Sequence, residues 1–186
     1  MRLYRQTVED FGLYTGKELS DTEMDDLRTA AGKMSAKMRA VRIVAASNVS
    51  KQDLQRRLVS KGEDPTHAQN AVQWMEDLQL VDDLKTAQQI VSNCIGKGYG
   101  RARAKQALFE KRISKEYWEQ VLEDYPDQQD AIVKFLRARL SGEYDEKQLR
   151  RAIDALLRRG HSYQQIRHGL EVMDLDTDDF PEETYG

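Results

Sequence analysis

Along most of the chain, apolar residues recur three and four positions apart with polar residues between them, the period of a helix burying one face. Three such stretches, 54–75, 104–125 and 152–173, align without a gap and begin 50 and 48 residues apart. Each opens on a helical face carrying Leu54 and Leu58, Ala104 and Leu108, or Ala152 and Leu156. A basic residue (Lys61, Lys111 or Arg159) then precedes a break at Gly62, Arg112 or Gly160. Two residues beyond the break stands a helix-capping type, Asp64, Ser114 or Ser162. The second helix buries positions 4, 8 and 11 past that cap: Ala68, Val72 and Met75; Trp118, Leu122 and Tyr125; Ile166, Leu170 and Met173. Pro65 fits the first helical position of its copy, where a missing N–H costs nothing.

A further helix precedes each pair. Ser20-Asp21-Thr22-Glu23 reads as a capping box opening a long helix to about Ala46. Asp82 or Asp83 caps the next, with Ala87, Ile90, Val91 and Cys94 on one face and Gly96 near its end. Asp124 and Pro126 open the third, which carries Ile132, Phe135, Leu136 and Leu140 and stops near Gly142. The expected fold is all-α: three tandem three-helix repeats at 20–80, 81–125 and 126–173. A unit of about 45 residues buries too little surface to stand alone, so neighbours should stack. Residues 3–13 alternate imperfectly and are read as a short strand or hairpin within an N-terminal segment 1–19. The acidic tail 174–186 is read as disordered.

Composition agrees with helices, since only three of 186 residues are proline and 33% are charged. One cysteine excludes an internal disulfide framework and a cysteine-rich zinc site; Cys94 reads as a packing residue. No signal-like stretch opens the chain, and no run reaches the roughly 20 apolar residues of a membrane span, so a cytoplasmic protein is expected. The net charge of −3 says little, but its distribution is uneven. Residues 97–115 hold seven bases and one acid, 147–170 six bases and one acid, and 171–186 seven acids and no base.

Catalytic chemistry is missing from the sequence. His67, His161 and His168 lack accompanying ligands and read as solvated helix-end residues, so neither metal nor cofactor is expected. No nucleophile motif, Walker loop or carboxylate pair appears. Gly96-Lys97-Gly98-Tyr99-Gly100 resembles a phosphate cradle but follows no strand. It reads as a helix junction, with anion contact at the following helix start as the alternative. Lys97, Arg101, Arg103 and Lys105 cluster at that start, the electrostatically wrong end for cations, which points to an external acidic partner. Arg101 and Lys105 fall one turn apart on one face. Tyr99 and the basic pair Arg150 and Arg151 complete the candidate binding set.

In order and spacing these residues resemble the RecX family. Ser50-Lys51-Gln52-Asp53-Leu54 through Leu58 and Lys61-Gly62 is similar to the opening of its repeat. Leu80-Val81-Asp82-Asp83 with Ala87 resembles its connection into the next helix. Lys97-Gly98-Tyr99-Gly100 with Arg103, Leu108, Lys111, Ile113 and Ser114 is similar to its most recognisable stretch. The likeness is close over 50–122, weaker over 149–170 and thin before Ala46. Arg112 departs from the glycine of its sister turns; a left-handed non-glycine residue there costs about 1 kcal/mol.

The resemblance implies three-helix repeats in an elongated, curved array, and a monomeric regulator in place of a catalyst. It implies binding to the RecA filament in its groove, suppression of RecA ATPase and strand exchange in recombination, DNA repair and the SOS response, and weak affinity for DNA. Two other functions share the fold: a helix-turn-helix DNA-binding protein and a general helical-repeat scaffold for protein partners.

Overall fold

The computed structural model describes residues 3–174, and every regular element among them is helical. The N-terminal segment corrects the expectation of a strand. It holds a helix, α1 (Arg5–Asp10), closed by Gly12 at φ +54°. Arg5 and Glu9, one turn apart, pair at 2.7 Å, and Thr7 between them is buried. The apparent alternation of residues 3–13 was one and a half turns of helix seen through too short a window.

By packing, the described chain divides into two units. The first runs up to Thr86 and includes Lys111–Ile113; the second comprises Ala87–Glu110 and the chain from Ser114 onward. In the first unit α2 (Asp21–Ala46) carries the expected capping box, with Ser20 and Glu23 each bonded to the other's backbone. It packs on α3 (Lys51–Ser60) and most extensively on α4 (Pro65–Asp77). Small residues make that crossing close: Ala36, Ala40 and Ala68 are wholly inaccessible, around Leu54, Leu58 and Met75.

Three acids are buried in this unit, each with partners: Asp53 pairs with Arg56 at 2.8 Å and Arg57 at 2.7 Å on its own helix, and Glu63 and Asp83 bind groups further away. Glu63 accepts from the Arg39 guanidinium at 2.6 Å and the Ser35 hydroxyl at 2.9 Å. Asp83 accepts from the amide of Lys51, the first residue of α3, at 2.8 Å. Burial pushes the Asp83 carboxyl pKa up, with the nearby Lys51 pulling the other way. Its neighbour Asp82 caps α5 (Asp83–Gly96) by accepting from the Lys85 amide at 3.0 Å. The two adjacent aspartates therefore serve two different helices.

The second unit contains α6 (Arg101–Glu110), a 3₁₀ turn at Lys115–Tyr117 running into the short α7 (Trp118–Leu122), then α8 (Gln129–Arg139), α9 (Glu146–Arg158) and α10 (Tyr163–Glu171). Helices α8, α9 and α10 close over Ile132, Leu136, Ile153, Leu156, Ile166 and Leu170. Asp145 and Ser162 each form a capping box. Two expected boundaries move. Helix α8 begins at Gln129, not at 124–126, since proline disfavours helical backbone in the residue before it. The second helix of the middle repeat is reduced, because the Ser114 hydroxyl makes no capping bond and the first turn winds as 3₁₀.

The three repeat breaks share one conformation. Gly62, Arg112 and Gly160 all lie in the left-handed region, at φ +87°, +55° and +84°. At Gly62 and Gly160 the flanking amides reach back three and five residues (Gly62 to Val59 and Glu63 to Leu58; Gly160 to Leu157 and His161 to Leu156), the Schellman ending of a helix. The arginine adopts the turn its glycine sisters adopt, and bears the strain.

Candidate functional site

The glycine-rich junction between α5 and α6 is built for close packing. Gly98, at φ +65°, ends α5 in a further Schellman turn, with Gly98 N bonding Ile95 O at 2.9 Å and Tyr99 N bonding Cys94 O at 3.0 Å. The Gly100 amide donates to Arg159 O at 2.8 Å, so it is unavailable to an anion. The Tyr125 hydroxyl donates to Tyr99 O at 2.7 Å. A side chain at Gly100 would strike the Gly160 carbonyl, and one at Gly160 would strike the Arg103 amide. The helix-junction reading describes this segment; its backbone polar groups hold the loop against the α9–α10 turn.

His161 is part of this latch. It is 4% exposed, which corrects the expectation of a solvated residue, and its Nε2 meets Gly98 O at 3.0 Å. Since a carbonyl only accepts, Nε2 carries the proton and Nδ1 is a bare, buried acceptor with no partner among the described residues. Burial depresses the imidazole pKa, assisted by the Arg159 charge and opposed by the Gly98 hydrogen bond. His67 is half-buried against Gly32 of α2, and His168 is exposed near Glu171 at 3.7 Å. Among the described residues no cluster of three or more His, Cys, Asp or Glu is placed to hold a metal ion. Cys94 is buried, and burial pushes its thiol pKa up, away from the reactive thiolate.

The candidate residues separate into three groups. Arg101 and Lys105 are exposed one turn apart on α6 and make no ion pair with any described residue; Lys97 is exposed in the loop ahead of them. Arg103 points elsewhere: half-buried, it pairs with Glu110 at 3.0 Å while its backbone lies against Gly160. Tyr99 is half-buried, its carbonyl held by Tyr125. Arg150 and Arg151 are exposed on α9, in one outward stripe with Lys147, Asp154 and Arg158. That stripe is diluted, since Asp154 stands in it and Glu146 lies 3.5 Å from Arg150.

One residue was missed. Phe109 is 69% exposed and falls one turn beyond Lys105. Arg101, Lys105 and Phe109 thus form a single stripe at i, i+4 and i+8 on α6. The signal was present in the repeat, because Val59, Phe109 and Leu157 occupy one aligned position just off the buried leucine. Of the three, Val59 is 40% exposed and Phe109 69%, whereas Leu157 packs partly against the second core. The first unit offers a different feature, a cleft of about 410 Å³ among α1, α2 and α4. Lys37 Nζ stands 4.9 Å above the Trp74 ring there, and Asp10 and Asp77 offset Lys33 and Lys37.

Fold and surface together define an all-helical three-helix-repeat protein with an exposed basic and aromatic stripe on α6. A family model described as the second three-helix domain of RecX matches residues 82–122. The chain is 30% identical to the regulatory protein RecX of Xanthomonas axonopodis pv. citri over 132 residues, 69% of this chain and 82% of that one. It is 26% identical to the regulatory protein RecX of Vibrio parahaemolyticus, covering 78% of this chain and 96% of the relative. A crystal structure of regulatory protein RecX superposes with a TM-score of 0.68 at 19% identity, over 89% of this chain and 86% of that one. The RecX structure from Lactobacillus salivarius gives 0.65 at 19% identity, over 78% and 98%. The chain belongs to the RecX family of regulatory proteins.

Proposed function

We propose that this chain is a non-catalytic cytoplasmic regulator that binds the RecA recombinase filament and lowers its ATPase and strand-exchange activity in recombination and repair. The name shared by its relatives supports a regulatory role. The observation that carries the binding surface is the α6 stripe, where Arg101 and Lys105 make no ion pair among the described residues and Phe109 is left in water. Lys97, Arg150 and Arg151 extend the cationic surface, whereas Arg103 and Tyr99 act by holding α6 and its loop in place. Weak contact with DNA phosphates and action as a monomer belong to the same proposal.

The test is the ATPase of cognate RecA on single-stranded DNA, with this protein titrated below stoichiometry. Arg101→Ala with Lys105→Ala should raise the half-inhibitory concentration roughly tenfold, about 1.4 kcal/mol for two rim charges. Unchanged inhibition with intact helicity would remove the stripe from the mechanism, and no inhibition by the unaltered protein would remove RecA. The helix-turn-helix reading has less support, because in the middle repeat the would-be recognition element is a 3₁₀ turn followed by five helical residues.

A further inference from the structure

Within the second unit the start of α6 is held from outside its own helix. The Gly100 amide donates to Arg159 O at 2.8 Å, and the Gly98 carbonyl accepts from His161 Nε2 at 3.0 Å. Both partners lie in one turn, Arg159-Gly160-His161, so that turn fixes the segment 98–100 leading into Arg101. Only 4% of His161 is exposed, and its Nδ1 is a buried acceptor without a partner among the described residues. The bond to Gly98 uses the neutral ring, with the hydrogen on Nε2. A second proton has to sit on Nδ1, where it meets neither water nor an acceptor, and a buried unpaired charge is disfavoured. Burial is the main opponent of that proton and the Arg159 charge a lesser one, while Asp127 favours it. Asp127 is exposed and shares a cleft of about 280 Å³ with Gly100, Arg101 and Gln165, so the carboxylate that acts on the ring stands at the surface. Of the other charged groups around the turn, Arg103 is paired with Glu110, Lys97 is exposed beside Gly98, and Arg158 is exposed on α9; α10 presents the neutral Gln165. The Tyr125 phenol, bonded to Tyr99 O, has its pKa pushed up to about 12 and stays neutral.

We propose that His161 is an acid-operated latch: on taking a second proton its ring leaves Gly98 O for solvent and Asp127, and residues 98–100 with the first turn of α6 come loose while the rest of the unit stays folded. One side chain then has two states. Neutral, it donates to Gly98 O from inside the unit; charged, it finds water and an opposite charge outside. The direction follows from burial. The enclosed ring binds a proton less readily than a released one, so acid favours release, from the ordinary value of 6.5 downward. The hydrophobic core of the unit, with Ile132, Leu136, Leu156 and Leu170, contains no ionisable group that this change would disturb. Arg101 directly follows Gly100, so release displaces the first cation of the exposed α6 stripe. The latch thereby regulates the presentation of that stripe. Its consequence for partner binding rests on the function proposed above; the opening itself does not, and it is measured without RecA.

The experiment follows the full chain by NMR from about pH 7.5 to pH 5, reading the His161 ring by its titration and the Gly100 amide by hydrogen exchange. Exchange is expressed as a protection factor, which removes its intrinsic dependence on pH. Protection of Gly100 should fall roughly tenfold between pH 7 and pH 5, in step with the ring. Local opening exposes little surface, so this exchange should be insensitive to about 1 M urea, whereas the Leu136 amide in α8 follows the slope of global unfolding. His161→Gln, which keeps a donor for Gly98 O but cannot titrate, should hold the Gly100 protection constant. Asp127→Asn, at an exposed position, should move the fall to lower pH by a few tenths of a unit. Four results would each overturn the proposal: a ring that titrates while Gly100 stays protected, a fall that persists in His161→Gln, a Gly100 amide as sensitive to urea as Leu136, or an unmoved midpoint in Asp127→Asn. Gly100 exchange that behaves as expected in a protein without effect on RecA would leave the latch standing and remove the function above.

Discussion

Gly160→Ala separates two costs that a left-handed helix ending normally combines. Gly62 and Gly160 occupy equivalent turns at nearly equal φ, +87° and +84°. A Cβ on Gly62 would have nothing within 4 Å, whereas one on Gly160 would lie 2.7 Å from the Arg103 Cβ and closer still to its amide nitrogen. Gly62→Ala therefore pays only for the left-handed alanine, about 1–2 kcal/mol, partly offset by a stiffer unfolded chain, for a net of about 1 kcal/mol. Gly160→Ala adds an overlap with backbone that no rotamer relieves, about 1–3 kcal/mol. It also strains the bonds from Gly100 to Arg159 and from His161 to Gly98, each about 1 kcal/mol. The total is about 4–6 kcal/mol. Trp74 lies in the first unit and Trp118 in the second, so urea titrations in Trp118→Phe and Trp74→Phe backgrounds read each unit by its own fluorescence. With a slope of about 2 kcal/mol per molar urea, the midpoint should fall by about 0.5 M for Gly62→Ala and about 2–3 M for Gly160→Ala. Equal shifts in the two variants would refute the close approach of α6 to the α9–α10 turn.

The other strained turn predicts a gain. Arg112→Gly should stabilise by about 0.5–1 kcal/mol, relief of the left-handed arginine exceeding the entropy added to the unfolded chain, and a lowered urea midpoint would contradict it. The carboxyl of Asp83 has its pKa raised by burial, so the protein gains from its protonation: that stability is complete below 3.8 and lost as pH rises through the folded value. Asp83→Asn, which can still accept from the Lys51 amide, should gain on the unaltered protein between pH 3 and pH 7 in thermal melts; a constant difference would rule the account out. His161 works in the opposite sense, since a depressed imidazole pKa leaves its stability intact above 6.5 and erodes it as pH falls toward the folded value. His161→Gln, which keeps a donor for Gly98 O, should flatten the pH 5–7 stability profile, and an unchanged slope would exclude His161 as its source.

Periodicity and punctuation made most of the helices legible. Ser20 with Glu23, Asp64 before Pro65 and Ser162 before Gln165 are local signals, complete within four residues, and each helix starts where its cap stands. The break at Arg112 was legible only through its sisters, because nothing in arginine demands a positive φ. What failed to show depends on partners distant in sequence. His161 looked solvated because the carbonyl that holds it belongs to Gly98, 63 residues away. Arg103 looked like a member of the α6 cluster because spacing does not reveal which face is already taken by Glu110 and Gly160. Phe109 was overlooked for a different reason: an apolar residue invites a core assignment, and only its place in the fold reverses it.

Ser50 caps α3 through its side chain, and its hydroxyl also donates to the carbonyl of Lys111 at 2.8 Å. Lys111–Ile113, the turn of the middle repeat, packs with the first unit, with Ile113 4% exposed, and the chain then resumes in the second. The unit of duplication is consequently not the unit of excision. Cutting the gene at repeat boundaries would yield a middle fragment stripped of the serine that receives its turn, and a first fragment with a gap where Ile113 belongs. Repeats could be added to or lost from such an array during its history only if both sides of that exchange changed together, which ties the number of repeats to the sequence of each one.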